Sequence, residues 1–469
     1  MIFLIIVFSA ILRLINLNQS LWLDEAINVL AAKNNTFWGM ITEYVKYDFH
    51  PPLYFAILWL WTKFFGYSEI AVRVPSLIFG ILTILLVYHI GRKLHSKTLG
   101  LIAALLMAVN PLHIYYSQEA RMYSLAAFAV CLNYFLFLKL IKGDRVNFLH
   151  LIFTNLLVLS SDYVAYLIIP SQFFYLIFFG KKYLKTWLMP VFSSGLITVF
   201  WLPILLTQLS IGSQTALNIP VWREIVGSFG IKPVILTYVK FIIGRINHPN
   251  DLIYALLFLP IGLLVLFLIW RALKFLEKKI RALLLIWLLV PIILALFISL
   301  IVPIYSYFRL LFVLPAFLLL ISYGIISFKQ KLKVIILSVF LIQIVSSSIY
   351  LFNPIFHRED WKGMVSFLKT VPQGKMLFES SDSFAPFDYY AKDSIKGVGA
   401  LKKFPAEKID DVKDLKNELG NTADVFLINY LVDISDPKRL VQENLIELGY
   451  QQVNIYNFNG VGFVYHYTQ

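Results

Sequence analysis

The sequence predicts a polytopic α-helical membrane protein of about 11 transmembrane helices, followed by a small α/β domain after residue 352. Three observations predict it. First, 59% of the 469 residues are hydrophobic and the mean hydropathy is +0.74, whereas soluble domains hold about 45–50% apolar residues. Second, apolar runs such as 282–303 and 310–328 approach the roughly 20 residues that cross a bilayer. Third, the net charge of +14 is unevenly spread: residues 353–469 carry 13 basic and 16 acidic residues, and the rest carries 28 basic but only 11 acidic ones. Sixteen of those basic residues fall in five short loops, 92–97, 142–147, 180–185, 271–281 and 329–333. Such loops read as cytoplasmic by the positive-inside rule. The basicity is therefore a topology signal, and no nucleic-acid partner is expected. A single cysteine, Cys131, excludes an intrachain disulfide framework and a Cys-based metal site.

Successive inside loops must be separated by an even number of crossings. That places helices at 1–17, 69–91, 98–116, 123–141, 148–162, 164–179, 186–208, 251–270, 282–303, 310–328 and 334–352. A hairpin turn near Ser160–Tyr163 keeps Arg145 and Lys181-Lys182 on one side. The chain then runs from a cytoplasmic N-terminus to an extracytoplasmic C-terminus, as a multi-pass protein of the plasma (cytoplasmic) membrane. The first run has no basic leader region or small-residue cleavage site and reads as a retained anchor. Two domains follow: a transmembrane domain over 1–352, and a soluble extracytoplasmic domain over 353–469. The first outer loop, 18–68, contains amphipathic stretches at Asn34–Tyr47 and Pro52–Phe65 that suit interfacial helices. In the tail, Asp360 is placed to cap a helix through Lys369. Strands are expected at Lys375–Phe378, Asp424–Ile428, Gln452–Tyr456 and Gly462–Tyr467, with helices at 407–419 and 437–448.

The scarce acids of the membrane region mark the chemistry. Nine of the 11 lie outside or at the outer boundary: Asp24, Glu25, Glu43, Asp48, Glu69, Glu119, Asp162, Glu224 and Asp251. Solvated loop charge accounts for Glu43, Glu224 and Asp251. The adjacent Asp24-Glu25 in Ser-Leu-Trp-Leu-Asp-Glu-Ala costs solvation energy that a passive loop would avoid, and a carboxylate there suits proton removal from a hydroxyl. His50-Pro51-Pro52 fixes the chain direction. It reads equally as a ligand-facing imidazole or as a helix start. Ser117-Gln118-Glu119-Ala120-Arg121-Met122-Tyr123 fills a tight turn with hydrogen-bonding side chains. There Arg121 can bind a phosphate oxygen or pair with Glu119. Arg309 and Arg73 lie at outer helix ends, where a lipid-headgroup anchor is the plainer reading for Arg73. No Walker loop, His-Glu-x-x-His or Rossmann glycine pattern is present.

The order Leu-Trp-Leu-Asp-Glu-Ala, His-Pro-Pro-Leu-Tyr, Ser-Glu-Ile-Ala-Val-Arg-Val-Pro-Ser and Asn-Pro-Leu-His-Ile-Tyr-Tyr-Ser-Gln-Glu-Ala-Arg-Met-Tyr resembles the GT-C membrane glycosyltransferases. The branch it resembles comprises proteins related to protein O-mannosyltransferases and the lipid A aminoarabinose transferase. The motifs cover residues 20–125. The resemblance implies a polyprenyl-phosphate-linked sugar donor and an acceptor hydroxyl on a lipid, glycan or protein. It maps the family's first-loop acidic motif onto Asp24 and Glu25, with Asp24 as base. It maps the second-loop acidic and basic positions onto Glu119 and Arg121, with Tyr123 beside them. His50 stands where the aminoarabinose transferase has a lysine. Asp162-Tyr163 stands where relatives show Tyr-x-His-Tyr.

From these follows an expectation of inverting sugar transfer, with Arg121, Arg309 and His50 stabilising the departing phosphate and Asp162 contacting substrate. No cofactor is required. Asp24, Glu25 and Glu119 offer oxygen ligands for a divalent metal, but no ligand spacing demands one. The rival class is a transporter or lipid-linked sugar flippase, whose polar groups would gather at the midplane in repeated halves. No repeat is evident here.

Overall fold

The computed structural model describes residues 1–219, 227, 229–328, 332–371, 374–392 and 394–469. Glu224 and most of the basic loop 329–333 lie outside the described residues. Contacts divide the chain into two units. One holds Met1–Leu17, Asn35–Gln214 and the described residues from 227 to Phe356, and the other gathers Asn18–Asn34 and Thr215–Ile219 with His357–Gln469.

The first unit is helical. By length and composition, six helices are able to cross a membrane: Glu69–Leu94, Tyr123–Ile141, Lys181–Asn218, Asp251–Phe275, Lys278–Ile298 and Val334–Phe352. A seventh is the bent pair Lys97–Val109 and Pro111–Ser117. The other four expected crossings are helical but shorter, at Ile2–Leu14, Phe148–Ser161, Val164–Phe179 and Leu311–Ile326. At about 1.5 Å per residue each is shorter than a hydrocarbon core of about 30 Å. Local chemistry ends them early. Asn16 takes a positive φ of 56° just after the first. Asp162 leaves the helix and accepts the Val164 N–H at 2.7 Å, starting the next turn.

Helices without a hydrophobic drive between them need close backbones or polar links, and this unit uses both. A Cβ on Gly324 would lie 2.0 Å from the Leu268 carbonyl oxygen, and one on Gly91 would lie 2.7 Å from the Gly100 Cα. Four helices are joined by a buried relay. Asn133 donates to Asn155 at 2.7 Å, Gln172 donates to Asn133 at 2.6 Å, and Trp187 donates to Gln172 at 2.7 Å.

The bent pair turns by 63° at Asn110-Pro111, where proline removes a helical donor. Asn110 caps the second piece through the His113 N–H at 3.0 Å. The orphaned carbonyls go to buried side chains: Ala108 and Met107 accept from Arg13, and Val109 accepts from Ser347. Arg13 also donates to Ser117 Oγ at 3.2 Å, so the first helix holds the short piece that leads to Glu119 and Arg121.

The second unit centres on a five-stranded mixed sheet of order β2-β1-β3-β5-β4. The strands are β1 (Lys375–Phe378), β2 (Gly397–Gly399), β3 (Asp424–Asn429), β4 (Gln451–Phe458) and β5 (Gly462–Thr468). β2, β1 and β3 are parallel, while β5 and β4 complete the sheet antiparallel. Val425–Ile428 is buried on both faces, as a central parallel strand requires. β2 is absent from the expected strands, because Gly-Val-Gly carries little strand propensity. Asp360 caps Trp361–Leu368 as expected, through the Gly363 N–H. The helix expected over 407–419 is instead two short turns, Ile409–Asp411 and Leu415–Leu419.

Candidate active site

In the first unit, the loop expected to be helical over Asn34–Tyr47 is a π turn at Gly39–Glu43 and a 3-10 turn at Tyr44–Tyr47. It delivers Asp48 and His50 to the start of Leu53–Phe65, whose N-cap is Pro52. The prolines thus begin a helix, as one reading of His50-Pro51-Pro52 expects, and the imidazole enters a cluster of side chains. His50 donates from Nδ1 to Asp48 Oδ1 at 2.5 Å, and Arg121 donates to Asp48 Oδ2 at 3.2 Å. Arg121 therefore pairs with Asp48, a partner the sequence reading did not name. Burial favours the neutral form of Asp48, but Arg121 and His50 outweigh it and hold the carboxyl down at about 2.

Gln208 fixes the loop. Its amide donates to the carbonyls of Val45, Asp48 and His50, and its oxygen accepts from Tyr163 at 2.5 Å. Arg121 is held through its own carbonyl by Ser76, which also bonds Tyr54. Neither Asp48 nor Gln208 stood out in the sequence. The available signal for Asp48 was its position two residues before His50; Gln208 stands among other polar residues of its helix and is set apart only by its burial.

Asp162 lies within electrostatic range of His50, Arg309 and Arg121. Its Oδ2 is buried and has no hydrogen-bond partner among the described residues, and the same holds for Arg309 Nε. Arg309 Nη1 donates to the Pro303 carbonyl at 3.0 Å. Tyr123 stands edge-on to His50, with ring centroids 6.4 Å apart, and to Phe308 at 5.3 Å. Glu119 is buried and lies near Arg245 and Tyr116. Arg245, which sequence reasoning passed over, lies 4.5 Å from the Tyr115 ring centroid and donates to its hydroxyl at 2.6 Å. Arg73 is no lipid anchor: it is fully buried and donates to the Leu17 carbonyl at 2.9 Å.

An apolar cavity of about 460 Å³ opens between Ile231–Ile243, Asp251–Phe275 and Leu332–Phe352. Ile261, Leu341 and Val345 line it, and Asn247, His248 and Tyr254 add polar groups.

Asp24 and Glu25 belong to the second unit. They sit in the first turn of a helix, Leu23–Asn34, within what the sequence presents as loop. Glu25 is fully buried, 3.9 Å from the buried Arg358 guanidinium, whereas Asp24 is half-buried. Among the described residues, no group of three or more His, Cys, Asp or Glu is placed to hold a metal ion.

This fold, a helical unit joined to a small sheet domain, is shared with membrane glycosyltransferases of known structure. Residues 49–206, about a third of the chain, match the family described as dolichyl-phosphate-mannose-protein mannosyltransferase, a stretch that contains His50, Glu119, Arg121, Tyr123 and Asp162. ArnT from Cupriavidus metallidurans bound to undecaprenyl phosphate shares the fold at a TM-score of 0.58 and 12% identity, covering 99% of this chain and 97% of that one. The Archaeoglobus fulgidus oligosaccharyltransferase in complex with Zn and sulfate aligns at 0.54 and 14% identity, over 98% of this chain and 72% of that one. The arabinofuranosyltransferase AftD from Mycobacteria aligns at 0.56 and 11% identity, over 100% of this chain and 39% of that one. No curated protein sequence matches the chain.

Proposed function

We propose that the protein transfers a sugar directly, with inversion, from a polyprenyl-phosphate donor to an acceptor hydroxyl on the extracytoplasmic face. In this reading the four shorter apolar helices also cross, giving 11 spans with the N-terminus inside and the C-terminal domain outside. The acceptor oxygen attacks the anomeric carbon as the bond from that carbon to the phosphate oxygen breaks. The bonding pair leaves with the lipid phosphate, and Asp24 takes the acceptor proton as general base. Direct displacement needs no carboxylate nucleophile.

The observation that carries the reading is the pair of orphaned buried atoms beside the Asp48–His50–Arg121 cluster. Buried polar groups are normally satisfied, and Arg309 Nε and Asp162 Oδ2 are not. A phosphate oxygen satisfies the first and a sugar hydroxyl the second. Fixed donors aimed at developing phosphate charge stabilise the transition state, and Asp48 keeps Arg121 and His50 in place for that task. ArnT binds undecaprenyl phosphate, and the apolar cavity here suits a hydrocarbon chain of that kind.

The test is reconstitution in liposomes with labelled polyprenyl-phosphate sugars and membranes that supply acceptor. Asp24→Asn is expected to lose roughly 10²–10⁴-fold in turnover while still binding undecaprenyl phosphate. Transfer at the wild-type rate by that variant would refute the assignment of the base.

A further inference from the structure

The two residues flanking Asp24 are both fastened by neighbours more than 330 positions away. Leu23, at the start of its helix, has a backbone N–H that no preceding helical turn can accept. It donates to Glu359 Oε2 at 3.3 Å. Glu359 is itself immobilised: Trp361 Nε1 donates to Oε2 at 2.8 Å, and the Tyr430 hydroxyl donates to Oε1 at 2.9 Å. Both aromatics belong to the hydrophobic core on one face of the sheet, against which Leu23 also packs. On the other side of Asp24, the fully buried Glu25 meets Arg358, which is equally buried. A buried carboxylate is tolerated only when paired, so this contact fixes which way the helix faces.

Three more bonds hold the approach to the helix. The Arg358 N–H donates to Gln19 Oε1 at 3.1 Å, the Lys362 N–H donates to Ser20 Oγ at 3.2 Å, and the Leu21 N–H donates to the Tyr390 hydroxyl at 2.8 Å. Gln19, Ser20, Leu21, Leu23 and Glu25 are thus all tied to 358–362 or to 390. Asp24 lies half-buried between two fixed neighbours.

We infer that Arg358 and Glu359 are positioning residues for Asp24, making the C-terminal domain part of the catalytic apparatus. This rests on the proposal that Asp24 is the base. Glu359 supplies the cap that the helix lacks in its own sequence, and Arg358 anchors Glu25 so that Asp24 keeps the partly exposed position of the pair. Displacing a base by an ångström is enough to cost a large factor in rate without touching donor binding.

The experiment uses the full chain in liposomes and compares wild type, Asp24→Asn, Arg358→Ala, Arg358→Lys and Glu359→Gln. Turnover is read with labelled polyprenyl-phosphate sugar, and binding with undecaprenyl phosphate alone. Arg358→Ala and Glu359→Gln are expected to lower kcat at least tenfold with undecaprenyl phosphate affinity within twofold of wild type. Arg358→Lys is expected to recover kcat to within threefold. The inference is overturned if Arg358→Ala and Glu359→Gln turn over within twofold of wild type while Asp24→Asn is inactive. It is also overturned if kcat and lipid binding fall together in both variants, which marks a merely structural role. An active Asp24→Asn instead removes the base itself, a result separable from either.

Discussion

Glu379 offers a quantitative handle on the C-terminal domain. It follows β1 directly, is fully buried, and neither carboxyl oxygen has a hydrogen-bond partner among the described residues. Burial raises its carboxyl from 4.5 to about 8. Asp436 and Asp433 add to the rise, and Arg439, which bonds Asp433, opposes it. Between those pH values the folded domain holds a proton that the unfolded chain has released. Stability is therefore fully present below about 4.5 and is lost as pH rises toward 8. Each pH step of one between those values removes about 1.4 kcal/mol, so the loss approaches 5 kcal/mol, comparable to the whole stability of many domains. Glu379→Gln keeps the shape and removes the titration. Pulse proteolysis of the full-length protein in urea, following fragments of the C-terminal domain from pH 5 to 9, measures both curves. Wild type is expected to weaken through that range, and the variant to stay level and overtake it above neutrality. Parallel curves would refute the reasoning, because they would show that Glu379 is solvated or paired in the folded state.

Other substitutions probe the membrane unit. Asp48→Ala leaves Arg121 and His50 without their shared carboxylate and is expected to destabilise this unit by roughly 3–5 kcal/mol, read as a lowered melting temperature in detergent. Lowering the pH of the wild type from 7 to 4 should not mimic that loss: the stability from Asp48 is present above 3.8 and disappears only as pH falls toward about 2. Gly324→Leu drives a side chain into the Leu268 carbonyl and is expected to cost at least 1–3 kcal/mol, roughly the penalty of overpacking, measurable by steric trapping. Ile261→Trp fills the apolar cavity and is expected to raise KM for long polyprenyl donors several-fold, with little change for a donor truncated to a few isoprene units. An equal effect on both donors would disconnect the cavity from the lipid chain.

Much of this was legible because the bilayer constrains sequence strongly. Apolar runs and loop lysines located every segment expected to cross, and each of those segments is helical. Their lengths were less legible, since a helix end depends on side chains such as Asp162 and Asn16 that hydropathy does not weigh. Among the candidate residues, Asp24, Glu25, His50, Glu119 and Arg121 were visible as polar residues in costly places. Their partners were not. Asp48 pairs with Arg121 across 73 positions, Gln208 reaches the His50 carbonyl across 158, and Glu359 reaches Leu23 across 336. Periodicity carries no information at such separations. The helix bearing Asp24 is hidden for the same reason, because its cap comes from a distant glutamate instead of a neighbouring serine or aspartate.

The bond between Leu23 and Glu359 also orders events in time. A ribosome adding roughly 5–20 residues per second needs on the order of 20–70 s to pass from the first of these residues to the second. For most of that interval the segment around Asp24 has left the ribosome while the residues that fasten it are not yet made. With Asp24 as the proposed base, activity is withheld from the nascent chain until its last quarter has been synthesised and folded. On the same proposal, a stalled or clipped polypeptide would not draw on a lipid-linked sugar pool, so completion of the chain acts as its own licence to work.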